Sequence, residues 1–223
     1  MYDLIGDIHG HADELVQLLE LLGYEKSLGS YRHPERKVIF LGDFIDRGPP
    51  IRHVLEIVRP MVEGDHALAV MGNHELSALA FHTEHLHRSE VFLRRRDNKN
   101  IRQHGQTILQ MPDTLLADAI DWFGTLPMWL DLDGHTYRTY ALQSDDIACN
   151  LALDQTVIAA ATPYPTTAKP VFVGHSWLSA QCPTVLADNV ACLDFSVAKG
   201  GFLCAYRWNG EQKLSNEDFV WAR

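Results

Sequence analysis

The sequence is poor in several features that define classes of protein. It has four cysteines in 223 residues and no CxxC pair, so we predict reduced thiols and neither a disulfide framework nor a zinc knuckle. No apolar run approaches the roughly 20 residues that a membrane span needs. Residues 1–5 lack a basic segment followed by an apolar one, so we predict no signal peptide. We expect a cytoplasmic protein that does not associate with membranes.

The chain also lacks an excess of basic residues. Lys and Arg number 19 against 29 Asp and Glu, which gives a formal net charge of -10. Proteins that bind nucleic acid without regard to sequence are normally basic, so we expect no general nucleic-acid binding. With 46% hydrophobic residues, the chain can bury the core of one domain, which we predict to span residues 1–223. Nothing in the sequence predicts the oligomeric state.

Apolar runs and helical patterns alternate along the first half of the chain. The runs at 2–5, 37–41 and 67–71 each stop at a glycine, and apolar residues at helical spacing follow the first two. This alternation predicts a sheet with helices packed on its faces.

The second half is richer in strand-like runs, and Asn209-Gly210 is typical of a hairpin turn. The predicted fold is α/β, with two packed mixed β-sheets flanked by helices in an αββα sandwich.

Three glycine-led motifs follow the three early strands. They are GDIHG at 6–10, GDFIDRG at 42–48 and GNHE at 72–75. Open α/β sheets bind ligands at the carboxyl ends of their strands, and Asp, His and Asn suit a mixed site for Mn, Fe or Zn. One such motif alone could be an ordinary turn, because Gly, Asp and Asn are common there. Three in series favour a metal site.

These motifs, together with a later Gly174-His175, resemble the calcineurin-like, PPP-type metallophosphoesterases in order and spacing. That superfamily includes protein Ser/Thr phosphatases, symmetrical dinucleoside tetraphosphatases and the phosphatase part of bacterial polynucleotide kinase-phosphatases. The forms GHSWL and VAKGG look most like the last group and its uncharacterised relatives. The resemblance implies two divalent metal ions, with Mn favoured over Fe or Zn. It implies five metal ligands, namely Asp7, His9, Asp43, Asn73 and His175, with Asp43 bridging the two ions.

The resemblance also implies the catalytic residues. Arg47 would bind the phosphate together with Asn73, while His74 would protonate the leaving group and Asp46 would orient His74. The chemistry suits these roles, because an alkoxide is a poor leaving group and a guanidinium matches phosphate oxygens. If Asn73 and His74 lie on an extended segment, they point in opposite directions, so one can ligate while the other faces the substrate.

One expected ligand is missing from the pattern. The family normally has another histidine for its second metal after the LP motif, and counting from Leu126-Pro127 places it near Tyr140. It could be replaced, or His135 could substitute for it. A segment bearing it could also be absent between Leu132 and Gly134. We favour the last alternative, because DGHTYR resembles a later part of the family pattern.

Other conspicuous residues are expected to be structural. His82, His85 and His87 are predicted to lie on a solvated helix face, and Arg94–Arg96 in a polar loop or helix end. The aromatic residues Trp177, Tyr206 and Trp208 are predicted to be core residues and not stacking platforms.

The expected activity is hydrolysis of a phosphate ester by metal-bound hydroxide. The substrate could be a phosphoprotein, a dinucleoside polyphosphate or a polynucleotide end. The alternative is a metal-binding regulatory module of the same fold with little or no turnover, which the missing histidine suggests. The presence of Asp46, Arg47 and His74 argues against that alternative, because a binding module has no use for a general acid.

Overall fold

A computed structural model of the chain describes residues 1–82, 98–128, 130–132, 135–137 and 170–223. Its helices within these ranges are α1 (Ala12–Leu21), α2 (Ile51–Glu63), α3 (Asn73–His82), α4 (Asn98–Gln110) and α5 (Asp113–Phe123). Its strands are β1 (Tyr2–Ile5), β2 (Glu25–Ser27), β3 (Ser30–Arg32), β4 (Lys37–Phe40), β5 (Ala67–Ala69), β6 (Leu130–Leu132), β7 (His135–Tyr137), β8 (Val171–Val173), β9 (Val190–Cys192), β10 (Asp194–Phe195), β11 (Phe202–Trp208) and β12 (Phe219–Ala222).

The largest sheet is mixed. Its strand order is β10-β11-β1-β4-β5, and β12 also pairs with β11. Strands β1, β4 and β5 are parallel to one another, whereas β11 runs antiparallel to β1. Strands β8 and β9 form a separate parallel pair. Parallel strands end at the same edge of a sheet, so the segments that follow β1, β4 and β5 lie side by side.

The two faces of the large sheet pack against different partners. Because side chains alternate along a strand, Ile5 and Phe40 belong to the core shared with helices α1, α2 and α5. Their neighbours Leu4 and Ile39 face the other way and pack with Phe172 of β8. This arrangement confirms the prediction of an α/β fold with packed sheets flanked by helices.

Two local predictions differ from the structure. Asn209-Gly210 does not form a two-residue hairpin, because β11 pairs with β12 only after a longer connection. That connection packs against the protein: the indole N–H of Trp208 donates to the carbonyl of Glu211 (3.0 Å), and Leu214 is buried. The apolar run at 190–195, which the sequence predicts as one of the strand-like runs of the second half, is two strands that belong to different sheets. Helix α4 begins at Asn98, which agrees with a helix end in the polar stretch that contains Arg94–Arg96.

Among the residues described, no helix combines the length and the apolar character that crossing a membrane requires.

Candidate active site

The segments after β1 and β4 place His9 beside Asp43. The backbone N–H of His9 donates to the carbonyl of Asp43 (2.8 Å), and its ring Nδ1–H donates to the carbonyl of Ile45 (2.9 Å). Nε2 of His9 therefore carries the lone pair. It is buried, has no hydrogen-bond partner among the described residues, and lies 3.8 Å from Oδ2 of Asp43. Burial lowers the pKa of His9 to about 3, so the ring is neutral near pH 7 and the two atoms form no ion pair. Neutral imidazole is the form that binds metal.

A second group of predicted ligands lies on the segments that follow β1 and β8 and at the start of α3. The carboxylate of Asp7 accepts the backbone N–H of His175, at 2.9 Å to Oδ2 and 3.1 Å to Oδ1. The ring Nδ1 of His175 lies 2.6 Å from Oδ1 of Asn73. This approach requires glycine at position 174, because a Cβ there would lie 2.2 Å from Oδ1 of Asp7. His175 therefore contacts both Asp7 and Asn73.

Asp43 joins the two groups. Its Oδ1 accepts the backbone N–H of His74 (2.9 Å), which is the residue after Asn73. A Cβ at Gly72 would lie 2.1 Å from the same oxygen, so the glycine of GNHE permits this approach. The structure thus brings all five predicted ligands together. The metal-capable atoms of His9, Asp43 and His74 lie within 4.8 Å of one another.

The charge balance of this cluster favours cations. Burial raises the pKa of Asp7 well above its usual value, and the negative charges of Asp194 and Asp43 raise it further. Burial likewise raises the pKa of Asp194. For Asp43, burial acts in the same direction, but His74 and His9 outweigh it and the pKa is lowered. Buried carboxylates that repel one another are relieved by bound cations, so the donor set fits divalent metal ions.

His74 and Asp46 form a buried pair next to the cluster. Nδ1 of His74 lies 2.6 Å from Oδ2 of Asp46, while the ring of His104 and the hydroxyl of Thr107 both bond to Oδ1. Burial by itself would raise the pKa of Asp46, but the hydrogen bonds from His104 and His74 outweigh it and lower the pKa. Asp46 is therefore ionised.

The same environment favours the charged form of His74. Burial alone lowers the pKa of His74, but the charge of Asp43 and the hydrogen bond to Asp46 raise it more. The side chain of Arg47 is exposed, and its Nη2 lies 3.2 Å from Nε2 of His74. The arginine and the proton-carrying nitrogen can thus meet the same substrate group.

Several site residues have strained backbones. His9, Asp43, Asp46, Arg47 and His175 have φ values between 46° and 68°. They are five of the eight non-glycine residues with positive φ in the described part of the chain. Each costs roughly 1–2 kcal/mol relative to an ordinary conformation. Such strain concentrates at functional sites, which supports a function for this cluster.

Sequence reasoning missed Glu75, the last residue of the GNHE motif. Its carboxylate accepts backbone N–H groups from Gly72, Asp43, Phe44 and Ile45 at 2.8–3.3 Å, and so ties the second motif to the third. Burial and the charge of Asp43 raise the pKa of Glu75 to about 8, against the effect of these donors. The sequence did contain a signal for Glu75, because a charged residue stands there among residues that are typical of turns.

Three more site residues were not predicted. His104 and Thr107 lie on one face of α4, and their spacing of three residues could have suggested a shared partner. That partner, Asp46, is distant in sequence. Asp194 is a buried carboxylate within the apolar run at 190–195. An acidic residue within an apolar run could have suggested a functional carboxylate.

The predicted backbone conformation at Asn73-His74 is wrong, although the predicted divergence of the two side chains holds. Asn73 and His74 begin helix α3 and do not lie on an extended segment, because the carbonyl of Gly72 already accepts the N–H of Leu76. Their side chains still diverge, one toward His175 and the other toward Asp46.

Trp177 is 45% exposed and is not a core residue, whereas Tyr206 and Trp208 are buried as predicted. His82, predicted on a solvated face, is half-buried and packs against His104 with ring centroids 5.4 Å apart. The predictions on His85, His87, Arg94–Arg96 and Tyr140, and on the side chain of His135, lie outside the described residues.

Comparison with known proteins identifies the family. Residues 2–205 match the family model of the calcineurin-like phosphoesterases. The chain therefore belongs to that family and is a hydrolase, which confirms the resemblance noted from its motifs. The closer grouping with polynucleotide kinase-phosphatases stays a prediction.

Curated relatives match a shorter part of the chain. A bis(5'-nucleosyl)-tetraphosphatase PrpE (asymmetrical) from Halalkalibacterium halodurans is 47% identical over 74 residues, which are 33% of this chain and 30% of that protein. The protein of the same name from a Geobacillus species is 48% identical over 73 residues, covering 32% and 30%. The match thus spans about a third of each relative.

Solved structures share the fold over most of the chain. A candidate diadenosine tetraphosphatase superposes with a TM-score of 0.58 at 17% identity, covering 99% of this chain and 92% of the other. A cold-active protein tyrosine phosphatase from a psychrophilic Shewanella species gives 0.59 at 19% identity, covering 92% and 75%. A protein serine/threonine phosphatase from Saccharomyces cerevisiae gives 0.58 at 11% identity, covering 99% and 78%. At these identities the likeness concerns the fold alone.

Proposed function

We propose that the chain is a two-metal phosphoesterase that hydrolyses dinucleoside polyphosphates. The convergence of the five predicted ligands beside the His74–Asp46 pair is the observation that supports metal-dependent hydrolysis most directly. The tetraphosphatase relatives favour a dinucleoside polyphosphate over a phosphoprotein or a polynucleotide end.

The donor set suits two cations. Asp7 and His9 would hold the first, Asn73 and His175 the second, and Asp43 would contact both. Divalent ions bound there would lower the pKa of a water molecule and neutralise charge on the phosphate. A set of imidazole, carboxylate and amide donors suits Mn, and Fe or Zn are the alternatives.

The remaining residues act on the substrate. The exposed guanidinium of Arg47 can bind two phosphate oxygens at once, and the amide of Asn73 would contact the same phosphate. His74, held by Asp46, can deliver a proton from Nε2 to the departing oxygen. The contacts of Asp46 with His104 and Thr107 keep its carboxylate fixed, which in turn fixes the His74 ring.

Activity assays with and without metal test this proposal. Protein dialysed against a chelator should be inactive, and added Mn²⁺ should restore hydrolysis. Diadenosine tetraphosphate, a phosphoserine peptide and a phosphate-ended oligonucleotide should be compared at equal concentration, and we expect the first to have the highest kcat/KM. Full turnover in excess chelator would contradict the metal role. Preference for the peptide or the oligonucleotide would contradict the substrate class, and no turnover on any of them would favour the regulatory module.

Three further expectations are proposed on the same basis. The chain would act as one domain over residues 1–223, it would be cytoplasmic, and its partner would be the phosphate substrate and not nucleic acid in general. Limited proteolysis and fractionation of the source cells would test the first two.

A further inference from the structure

An exposed tryptophan stands beside the active site. Trp177 is 45% exposed, and the ammonium group of Lys199 lies 3.7 Å from the centroid of its ring. Indole side chains are mostly buried in folded proteins, because their large apolar surface is costly to leave in water. Trp177 therefore calls for an explanation that core packing does not provide.

Both residues are attached to the site by short stretches of chain. Trp177 follows His175 by two residues, so their Cα atoms are at most about 7 Å apart. The next residue, Leu178, donates its backbone N–H to the carbonyl of Asp194 (2.8 Å). Lys199 ends the short 3-10 helix Val197–Lys199 that begins just beyond Asp194. The pair thus lies at the rim of the cluster that contains Asp7 and His175.

The lysine gives the ring a defined position. A cation over the face of an exposed indole is attracted by the negative face of the ring, so the contact holds Trp177 without covering it. Lys199 is itself exposed and positively charged, in a chain whose net charge is -10. A flat ring next to a cation is suited to a ligand that has both an aromatic group and negative charge.

We propose that Trp177, held by Lys199, is a platform on which a nucleobase of the substrate stacks. This inference rests on the proposed function, because the metal site would hold the phosphate to which the nucleoside is attached. Lys199 would contact a phosphate between the base and the site. Stacking of a base on an aromatic side chain contributes about 1–3 kcal/mol. A phosphoserine peptide offers no such flat group at a fixed distance from its phosphate, so the platform favours nucleotides over that class of substrate.

Two non-hydrolysable ligands distinguish binding of the base from binding of the phosphate. Adenosine 5'-methylenediphosphonate and methylenediphosphonate share the anionic group, and only the former has a nucleoside. Their Kd values should be measured by calorimetry on the Mn²⁺-loaded protein. Trp177→Ala should raise the Kd of the adenosine compound by about 5- to 150-fold, the equivalent of one stacked base. The Kd of methylenediphosphonate should stay within about twofold.

Matched variants make the result specific. Trp177→Phe keeps a flat ring and should retain most of the affinity for the adenosine compound. Trp221 is 40% exposed on the edge strand β12, next to Phe202, and Trp221→Ala should leave both Kd values unchanged. Lys199→Gln should raise the Kd of the adenosine compound by a smaller factor than Trp177→Ala does.

The binding results stand apart from the hydrolysis assays. The platform is refuted if Trp177→Ala weakens the binding of both ligands equally or of neither. It is also refuted if the wild-type protein binds the adenosine compound no more tightly than methylenediphosphonate. Absence of Mn²⁺-dependent turnover would refute the proposed function. If binding shows the predicted pattern without turnover, the platform is retained and the hydrolysis proposal is lost.

Discussion

Replacement of His74 by asparagine separates its proposed role as a proton donor from a role as a metal ligand. The contact between residue 74 and Asp43 is made by the backbone N–H, so any side chain at position 74 keeps it. Nδ1 of His74 bonds to Asp46, and its Nε2 lies 3.2 Å from Nη2 of Arg47, where it can face the substrate. His74→Asn should therefore leave the metal content nearly intact.

The rate should fall by roughly 10²–10⁴, the usual range for loss of a positioned general acid. At 1.36 kcal/mol per decade, this is about 2.7–5.4 kcal/mol of lost transition-state stabilisation. The loss should be largest for an alkyl phosphate, whose departing oxygen needs a proton. It should be small for an aryl phosphate, whose leaving group scarcely does.

The assay combines elemental analysis with turnover of one alkyl and one aryl phosphate. Asp43→Asn is the matched comparison, because it replaces the central carboxylate and should lower metal content and rate together. The ligand-capable atoms of His9, Asp43 and His74 lie within 4.8 Å of one another, so a ligand role for His74 is geometrically open. If His74→Asn loses as much metal as Asp43→Asn, the assignment of His74 as the acid is wrong.

Three other predictions follow from the packing and the charges. Gly174→Ala should lower Mn²⁺ content because its Cβ would strike Asp7, whereas Gly105→Ala, with open space around it, should not; equal content in both would contradict the packing argument. Asp3→Asn should lower the free energy of unfolding in a denaturant titration by about 3–5 kcal/mol, because Asp3 is fully buried against two arginines; a loss under about 1 kcal/mol would contradict this. The pKa of Glu75 is raised from its ordinary value of 4.5 to about 8, so protonation of its carboxyl group stabilises the metal-free fold at low pH and this effect is lost as the pH rises. The Tm measured in chelator should therefore fall from pH 6.5 to 8.5, and a rise would contradict this.

The ends of the parallel strands were predictable from the sequence. Each short apolar run stops at a glycine, and Gly72 and Gly174 prove to be positions where a Cβ would collide with Asp43 and Asp7. The glycines that mark the strand ends in the sequence are also the residues that the packing of the site requires, so the motifs predicted where the site lies. The same agreement let the sequence indicate a sheet with helices on its faces.

The supporting residues were harder to predict, because their roles depend on contacts between distant segments. His104 and Thr107 are 58 and 61 residues from Asp46 in sequence, and nothing local to α4 marks them as its partners. Trp177 was placed in the core because its residue type is usually buried, whereas its exposure depends on how its segment passes the rim of the site.

Diffraction from crystals soaked in Mn²⁺ tests the central claim most directly. We expect two anomalous peaks, one of them roughly 2 Å from Nε2 of His9 and both in contact with the carboxylate of Asp43. Asp7, Asn73 and His175 should complete the coordination, and His74 should remain outside it. A structure in which Mn²⁺ binds elsewhere, or in which Nε2 of His9 faces no ion at saturating Mn²⁺, would contradict the account.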